Sequence, residues 1–586
     1  LKDASSAAVY GAIGAFCVIL VTTKDAKKGE AKVTYSGNIT VTRRTVIPSG
    51  ITDGKEWLTW WMEWDDGYYR GTKVRLNHVD SKIPYTEEIY QEYDRRNADP
   101  SLSKVTQLQG HDMFGWAYYG NTDWYDEFYK PVSVQTEHNL SVSGGTDKSS
   151  YYVSGRFYDF DGIYRVGKEN YKKFDLRAKG SIQVTKWLKV TNNMSISRHL
   201  FYQPKEQTGG SMEKLINHAA YPVSTIKNPD GTWTPAAAIS GYAALAEGKA
   251  YRDDKYIYLR NKLSLDIDFI PQVLRLTGEY SYNYTGRKRI DVNQAVGFSK
   301  GKGIIQYEGI NPDTSYLQQV NYETNYHSGN VYLSYSPKLG PNHSLTALIG
   351  VNIESSKYET LTNKQFTYIT ESKPTFALMS GTANVPTQSG NEWAYFGAFF
   401  RVNYGFKSRY LFEVSGRYDG SSKFPAYSQW GFFPSGSFGW RLSEEPWMTG
   451  AKHWLDHAKI RLSAGSMGNG NVSPYSYTSE MSIATATDTV LGGTLPKYTS
   501  VGGVVPTSLT WVRSTTFDVG LDLDFLGNRL SFSGDYYIRL TSDMYTTSLA
   551  LPAVYGASSP KGNNAEIRTN GWELSLQWRD EFNTGG

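Results

Sequence analysis

The feature that most constrains this chain is a period of two. Ile257, Leu259, Leu263, Leu265, Ile267 and Phe269 alternate with Tyr258, Arg260, Lys262, Ser264, Asp266 and Asp268. The same alternation runs through Leu274–Asn283, Thr516–Phe525 and Trp572–Arg579. Each segment therefore presents one apolar and one polar face, the pattern of a β-strand with a different solvent on each side. The segments run to about 10–13 residues, long for a soluble sandwich and suited to a tilted strand crossing a bilayer.

The connections alternate as well. Tight turns are expected at Thr185-Lys186-Trp187, Ile270-Pro271-Gln272, Phe406–Arg409 and Leu526-Gly527-Asn528. Long segments are expected at about 200–255, 285–322, 356–392, 467–514 and 541–568. Short turns at one rim and long loops at the other define an outer-membrane barrel. In hydrocarbon every backbone N–H and C=O must be paired, so a sheet spans a membrane only by closing on itself. The pattern holds roughly sixteen such strands. Tyr410, Trp440, Tyr536 and Trp578 are placed at strand ends, where aromatic girdles meet the lipid headgroups. The fold class is therefore all-β, a transmembrane antiparallel barrel; a large soluble β-protein with one buried face is the alternative.

Composition supports this and removes other classes. Mean hydropathy is −0.49 and no apolar run reaches 18 residues, which excludes a helical membrane protein. Aromatics make up 15% of the 586 residues, and there is one Cys, so neither a disulfide scaffold nor a zinc ribbon fits. A net charge of +4 gives no electrostatic reason for a nucleic-acid partner. The most apolar stretch, Ala12–Thr22, reads as a buried strand followed by a turn, with Cys17 as inert packing.

Several stretches resemble the SusC/RagA group of TonB-dependent outer-membrane transporters. LKDASSAAVYGAIGAFCVILVTTK (1–24) resembles the end of that family's plug domain, with Ile13 in place of the usual Arg and Phe16-Cys17 in place of Asn-Gly. HNLSVSGGTDKSSYYVS (138–154), RVNYGFKSRYLFEVSGRYDGSSKF (401–424) and WGFFPSGSFGWRLSEE (430–445) resemble its barrel. So do 509–544 and 551–580, in order along the chain.

The resemblance implies a barrel of about 22 strands blocked by an N-terminal plug. Residues 1–31 would then be the C-terminal end of the plug, and 32–586 a partial barrel with long extracellular loops. A chain that opens late in the plug and lacks about six strands would be a fragment, without the box that engages TonB. The implied activity is TonB-dependent import of oligosaccharides or oligopeptides, without catalysis. The implied partners are a SusD-like surface lipoprotein, TonB with its inner-membrane energising complex, and outer-membrane lipid. A small-ligand receptor for a siderophore or vitamin, without a lipoprotein lid, is the alternative, against which the motifs from Arg401 to Glu445 argue. A barrel enzyme or adhesin would need a catalytic cluster or a repetitive passenger domain, and neither is seen.

The residues most suggestive of a binding site are Trp57, Trp60, Trp61 and Trp64, followed by Tyr68 and Tyr69. Flat aromatic faces in a wet vestibule stack on sugar rings. The competing reading makes Trp57, Trp61 and Trp64, at i, i+4 and i+7, the packed stripe of a small helix. Trp116, Trp124 and Trp233 also fall in long connecting segments. His453 and His457 (HWLDH) have the i,i+4 spacing of a helical metal pair, but Trp454 stands where a catalytic Glu would be, so a capping helix is expected. Gly465, Gly468 and Gly470 are spaced like a phosphate loop but lack its Lys-Ser/Thr, and are read as the opening of a long loop. Asp65-Asp66 and Asp253-Asp254 are acidic loop pairs, read as solvated loop charge, with structural calcium as the alternative; no other cofactor is expected.

Overall fold

The computed structural model describes residues 29–46, 50–69, 87–110, 113–205, 212–500, 504–506, 509–548, 552, 554 and 559–581. The segment read as a buried strand at Ala12–Thr22, and with it Cys17, lies outside the described residues.

One antiparallel sheet of sixteen strands dominates the structure, each strand bonded to its sequence neighbour in the wall. In chain order these are β1 (Gly29–Arg43), β2 (Val132–Gly145), β3 (Ser149–Phe160), β4 (Asn170–Gln183), β5 (Leu188–Pro204), β6 (Ala250–Ile270), β7 (Leu274–Asn293) and β8 (Tyr316–Tyr335). They continue with β9 (His343–Phe366), β10 (Thr387–Phe406), β11 (Tyr410–Ser421), β12 (Trp430–Arg441), β13 (Leu455–Asn469), β14 (Val512–Phe525), β15 (Leu530–Thr547) and β16 (Lys561–Trp578). Pairing is regular, and β7 and β8 match over their full lengths without a bulge.

The strands are longer than the sequence pattern suggests: β9 has 24 residues. About ten suffice to cross the hydrocarbon, so the remainder carries the wall above it, where both faces meet water and the alternation loses contrast.

The alternation sorts residues onto the two faces as expected. Outward-facing Ile349, Ile353, Val414, Phe517 and Val519 are all more than half exposed. Such a band would be an aggregation hazard in water and is suited to lipid. The opposite face carries ion pairs that bridge strands: Arg461 reaches Asp522 and Asp535, each at 2.7 Å, and Arg156 reaches Glu137 at 2.8 Å.

Short connections gather at one end: 146–148, 184–187, 271–273, 336–342, 407–409 and 526–529, with a longer link at 442–454. Here Phe406 stacks on Tyr410 and Tyr410 on Trp440, both at 6.4 Å, part of an aromatic row at the rim. Tyr410 and Trp440 also donate hydrogen bonds to Glu445, at 2.7 and 3.0 Å. Trp578 ends β16, as expected, but Tyr536 does not belong to the rim. It lies opposite Trp572 well inside the β15–β16 pair.

The expected capping helix at His453–His457 is absent. Two 3₁₀ turns (Leu442–Glu444 and Pro446–Ala451) precede it, and His457 lies in β13. The two imidazoles are therefore not on one helical face. His453 Nδ1 sits 2.8 Å from the Gly450 carbonyl, whereas His457 Nδ1 is 3.6 Å from Asp524.

Gly465 and Gly468 are also strand residues of β13 rather than a loop opening. Their neighbour Gly470 makes room for a ring: a Cβ there would stand 2.9 Å from Trp511.

Candidate substrate vestibule

The long connections at the other end are 44–131, 205–249, 294–315, 367–386, 470–511 and 548–560; described parts of the first four, and the two ends of 470–511, fold into aromatic cores. Helix α1 (Gly54–Tyr69) starts where Asp53 accepts a hydrogen bond from the Glu56 amide at 2.8 Å, an N-cap. Its Trp57 and Trp61 rings stack at 5.2 Å and both pack on Tyr221. Leu58 on the same helix is buried with Trp116, Tyr118 and Val223. Helix α2 (Glu87–Ala98) closes this core with Tyr93, whose hydroxyl donates to the Gly120 carbonyl at 3.1 Å. Burial, and then the nearby Asp53 charge, push the Tyr93 phenol up to about 12.

A second core gathers Trp124 and Phe128 of helix α3 (Trp124–Phe128) with Trp233 and the alanines of helix α4 (Pro235–Ile239) and helix α5 (Tyr242–Glu247). The Trp124 indole donates to the Tyr221 carbonyl at 2.9 Å, tying the two cores together. The Trp233 indole donates to Glu247 at 2.5 Å. Burial raises the Glu247 pKa, but this bond and Lys249 outweigh it and hold the carboxyl below its usual range.

This geometry divides the tryptophans. Trp57 and Trp61 follow the packed-helix reading, whereas Trp60 and Trp64 are 58% and 56% exposed. Trp64 leans on Trp61 at 5.4 Å and leaves much of its surface open. Trp116, Trp124 and Trp233 are buried and form the interior of the folded loops, so their loop position does not offer them to a ligand. Tyr68 and Tyr69 end α1, and their side chains lie outside the described residues.

The acidic pairs also separate. Asp253 and Asp254 are strand residues of β6 and not a loop pair. Asp253 meets Lys255 at 2.7 Å, and buried Asp254 meets Arg287 at 2.5 Å. Each carboxylate is paired with a cation. The side chains of Asp65-Asp66 lie outside the described residues. No group of three metal-ligating side chains occurs among the described residues.

Sequence reasoning missed the inner wall below this canopy. Arg287 is held between Tyr256 and Tyr322, its carbon 4.9 and 5.0 Å from the ring centres. Arg252 and Arg289 converge on buried Asp291 at 2.7 and 2.6 Å. Arg417 and Asp419, 4% and 1% exposed, pair at 2.6 Å beside Tyr395. The signal was present as charged residues falling mainly on one parity of β6, β7 and β11, but the partners come from register and not from sequence distance.

A sixteen-stranded antiparallel β wall with an apolar outside, an ion-paired inside and a folded canopy over one rim is the wall of an outer-membrane β-barrel. The chain belongs to the family described as TonB dependent receptor-like, beta-barrel, which matches residues 216–586.

Among curated relatives, it is 29% identical to TonB-dependent receptor P3 of Formosa agariphila over 100% of this chain and 52% of the relative. It is 25% identical to TonB-dependent receptor SusC of Bacteroides thetaiotaomicron over 98% of this chain and 53% of that one. The fold matches the RagAB peptide importer in its closed-closed state with a TM-score of 0.77, at 20% identity, over 100% of this chain and 62% of that chain. The resemblance to the SusC/RagA group is thus borne out. The chain spans about half the length of the curated relatives it matches.

Proposed function

We propose that this chain is the barrel of an active outer-membrane importer of oligosaccharides, working with a SusD-like surface lipoprotein that caps the canopy and with TonB, which draws on the inner-membrane proton gradient. The observation that carries the reading is the folded canopy, with Trp60 and Trp64 presenting open aromatic faces at the rim. Flat faces of this kind stack on the C–H faces of sugars, while the inner wall offers charged and hydroxyl groups to the hydroxyls. Cargo binding outside must favour a plug state that TonB can engage, because a ligand shifts an equilibrium only by its differential affinity for the two states. The cargo passes intact, so the activity is transport and not catalysis. Oligopeptide cargo is the second reading, favoured by the fold shared with the RagAB peptide importer.

The test is to extract the native complex from outer membranes in mild detergent and identify by mass spectrometry what accompanies it. A stoichiometric lipoprotein with a retained glycan is the expected result, and a retained peptide selects the second reading. A solitary barrel with neither would favour a small-ligand receptor working without a lid.

A further inference from the structure

On the inner face of the wall, just below the canopy, two lysines converge on one tyrosine. Tyr316 opens β8 and lies opposite Phe366 of β9 and Asn293 of β7. By parity it shares a face with Tyr322 and Asn330, opposite the exposed outer row of Val331 and Tyr335. Lys205, just past β5, donates to the Tyr316 hydroxyl at 2.5 Å. Lys364 of β9 sits 3.9 Å from the centre of the Tyr316 ring and 4.7 Å from that of Phe366. Both ammonium groups therefore lie within 5.0 Å of one ring centre, half-buried.

What sets this pair apart is its lack of counter-charge. The neighbouring cations are matched: Arg252 and Arg289 with Asp291, Arg287 with Asp254, and Lys249 with Glu247 and Glu371, both at 3.0 Å. Among the described residues no carboxylate lies within ion-pair distance of Lys205 or Lys364. Cation–π contact holds an ammonium only weakly and leaves its N–H donors free. Two such groups on one inward-facing aromatic floor are arranged to take a single oxyanion between them, by charge-assisted hydrogen bonds.

We propose that Lys205, Lys364 and Tyr316 form an oxyanion subsite for an acidic sugar in the cargo, a uronate carboxylate or a sulfate ester. This rests on the oligosaccharide reading above and narrows it to anionic glycans. The ring of Tyr316 is the floor, and the two ammonium groups grip the anionic substituent as the sugar descends from the canopy.

The test is isothermal titration of the native detergent-extracted complex with four probes of equal length: a neutral oligosaccharide, an oligogalacturonate, a sulfated oligosaccharide and an acidic peptide. One or both acidic glycans should bind more tightly than the neutral one, and their affinity should fall with added salt. Lys205→Ala and Lys364→Ala should each weaken the acidic glycan about tenfold and leave the neutral probe unchanged. Lys338→Ala, on a short turn at the far rim, should change neither. Preference between uronate and sulfate identifies the source of the anion. Equal binding of neutral and acidic glycans, unaffected by the lysine variants, overturns the subsite and leaves the importer standing. Lysine-dependent binding of the peptide alone, or of no probe, overturns both. Loss of the neutral glycan in a lysine variant whose band still shifts normally on heating would show a structural role and also overturn the subsite.

Discussion

Phe433 of β12 stands where a side chain on Gly468 of β13 would have to stand: a Cβ on that glycine would lie 2.1 Å from the ring's Cζ. The ring is 3% exposed and packs edge-on against Trp511 at 5.7 Å, and Trp511 is itself 4.9 Å from Phe424. The glycine is thus part of the aromatic core that anchors the long 470–511 connection.

Gly468→Ala must move Phe433, and overpacking of this kind costs about 1–3 kcal/mol. Gly278→Ala, where a Cβ meets nothing within 4 Å, is the control. Urea midpoints of the detergent-extracted protein should fall for the first and stay unchanged for the second.

Removing one member of the buried Arg417–Asp419 pair leaves an uncompensated charge inside the wall. Asp419→Ala should cost about 3–5 kcal/mol, and adding Arg417→Met should recover most of it. The comparison is made by the same urea titration; a double variant less stable than the single one contradicts the account.

The tryptophans of α1 should separate by role. Trp61→Ala breaks the stack with Trp57 and Tyr221 and should lower canopy stability by about 1–3 kcal/mol. Trp60→Ala touches no core, so stability should stay within about 0.5 kcal/mol while glycan affinity falls about three- to tenfold. Titration calorimetry beside thermal melting reads both. Equal effects at the two positions would contradict the division.

On α2, Glu92 is held down to about 2 chiefly by its hydrogen bond with Arg95, which with Arg96 outweighs the opposing effect of burial. Its unfolded value is near 4.5, so the depressed folded value contributes stability that is fully present above pH 4.5 and is lost as pH falls toward 2. The difference in melting temperature between the protein and Glu92→Gln should be present at neutral pH and close through that window. Salt should shrink it too, because the group is partly open to solvent.

The wall was legible in the sequence because membrane and water impose opposite demands on alternate residues, as Phe517 and Asp518 show. Sixteen strands were countable for that reason. The loops were not legible in the same way. Trp116, Trp124 and Trp233 are as aromatic as Trp60 and Trp64, and only the tertiary packing around Tyr221 and Glu247 decides which are covered. His457 was misread because a four-residue spacing means one face only on a helix, and β13 had already begun. The Lys205–Tyr316–Lys364 cluster comes from three separate segments brought together by register, which no local pattern encodes.

The central claim is energised import, and uptake by intact cells tests it most directly. Labelled acidic glycan should bind the cell surface with or without an inner-membrane proton gradient, and should reach the periplasm only when both the gradient and TonB are present. Periplasmic accumulation at the same rate after the gradient is collapsed would show a passive pore and contradict the account.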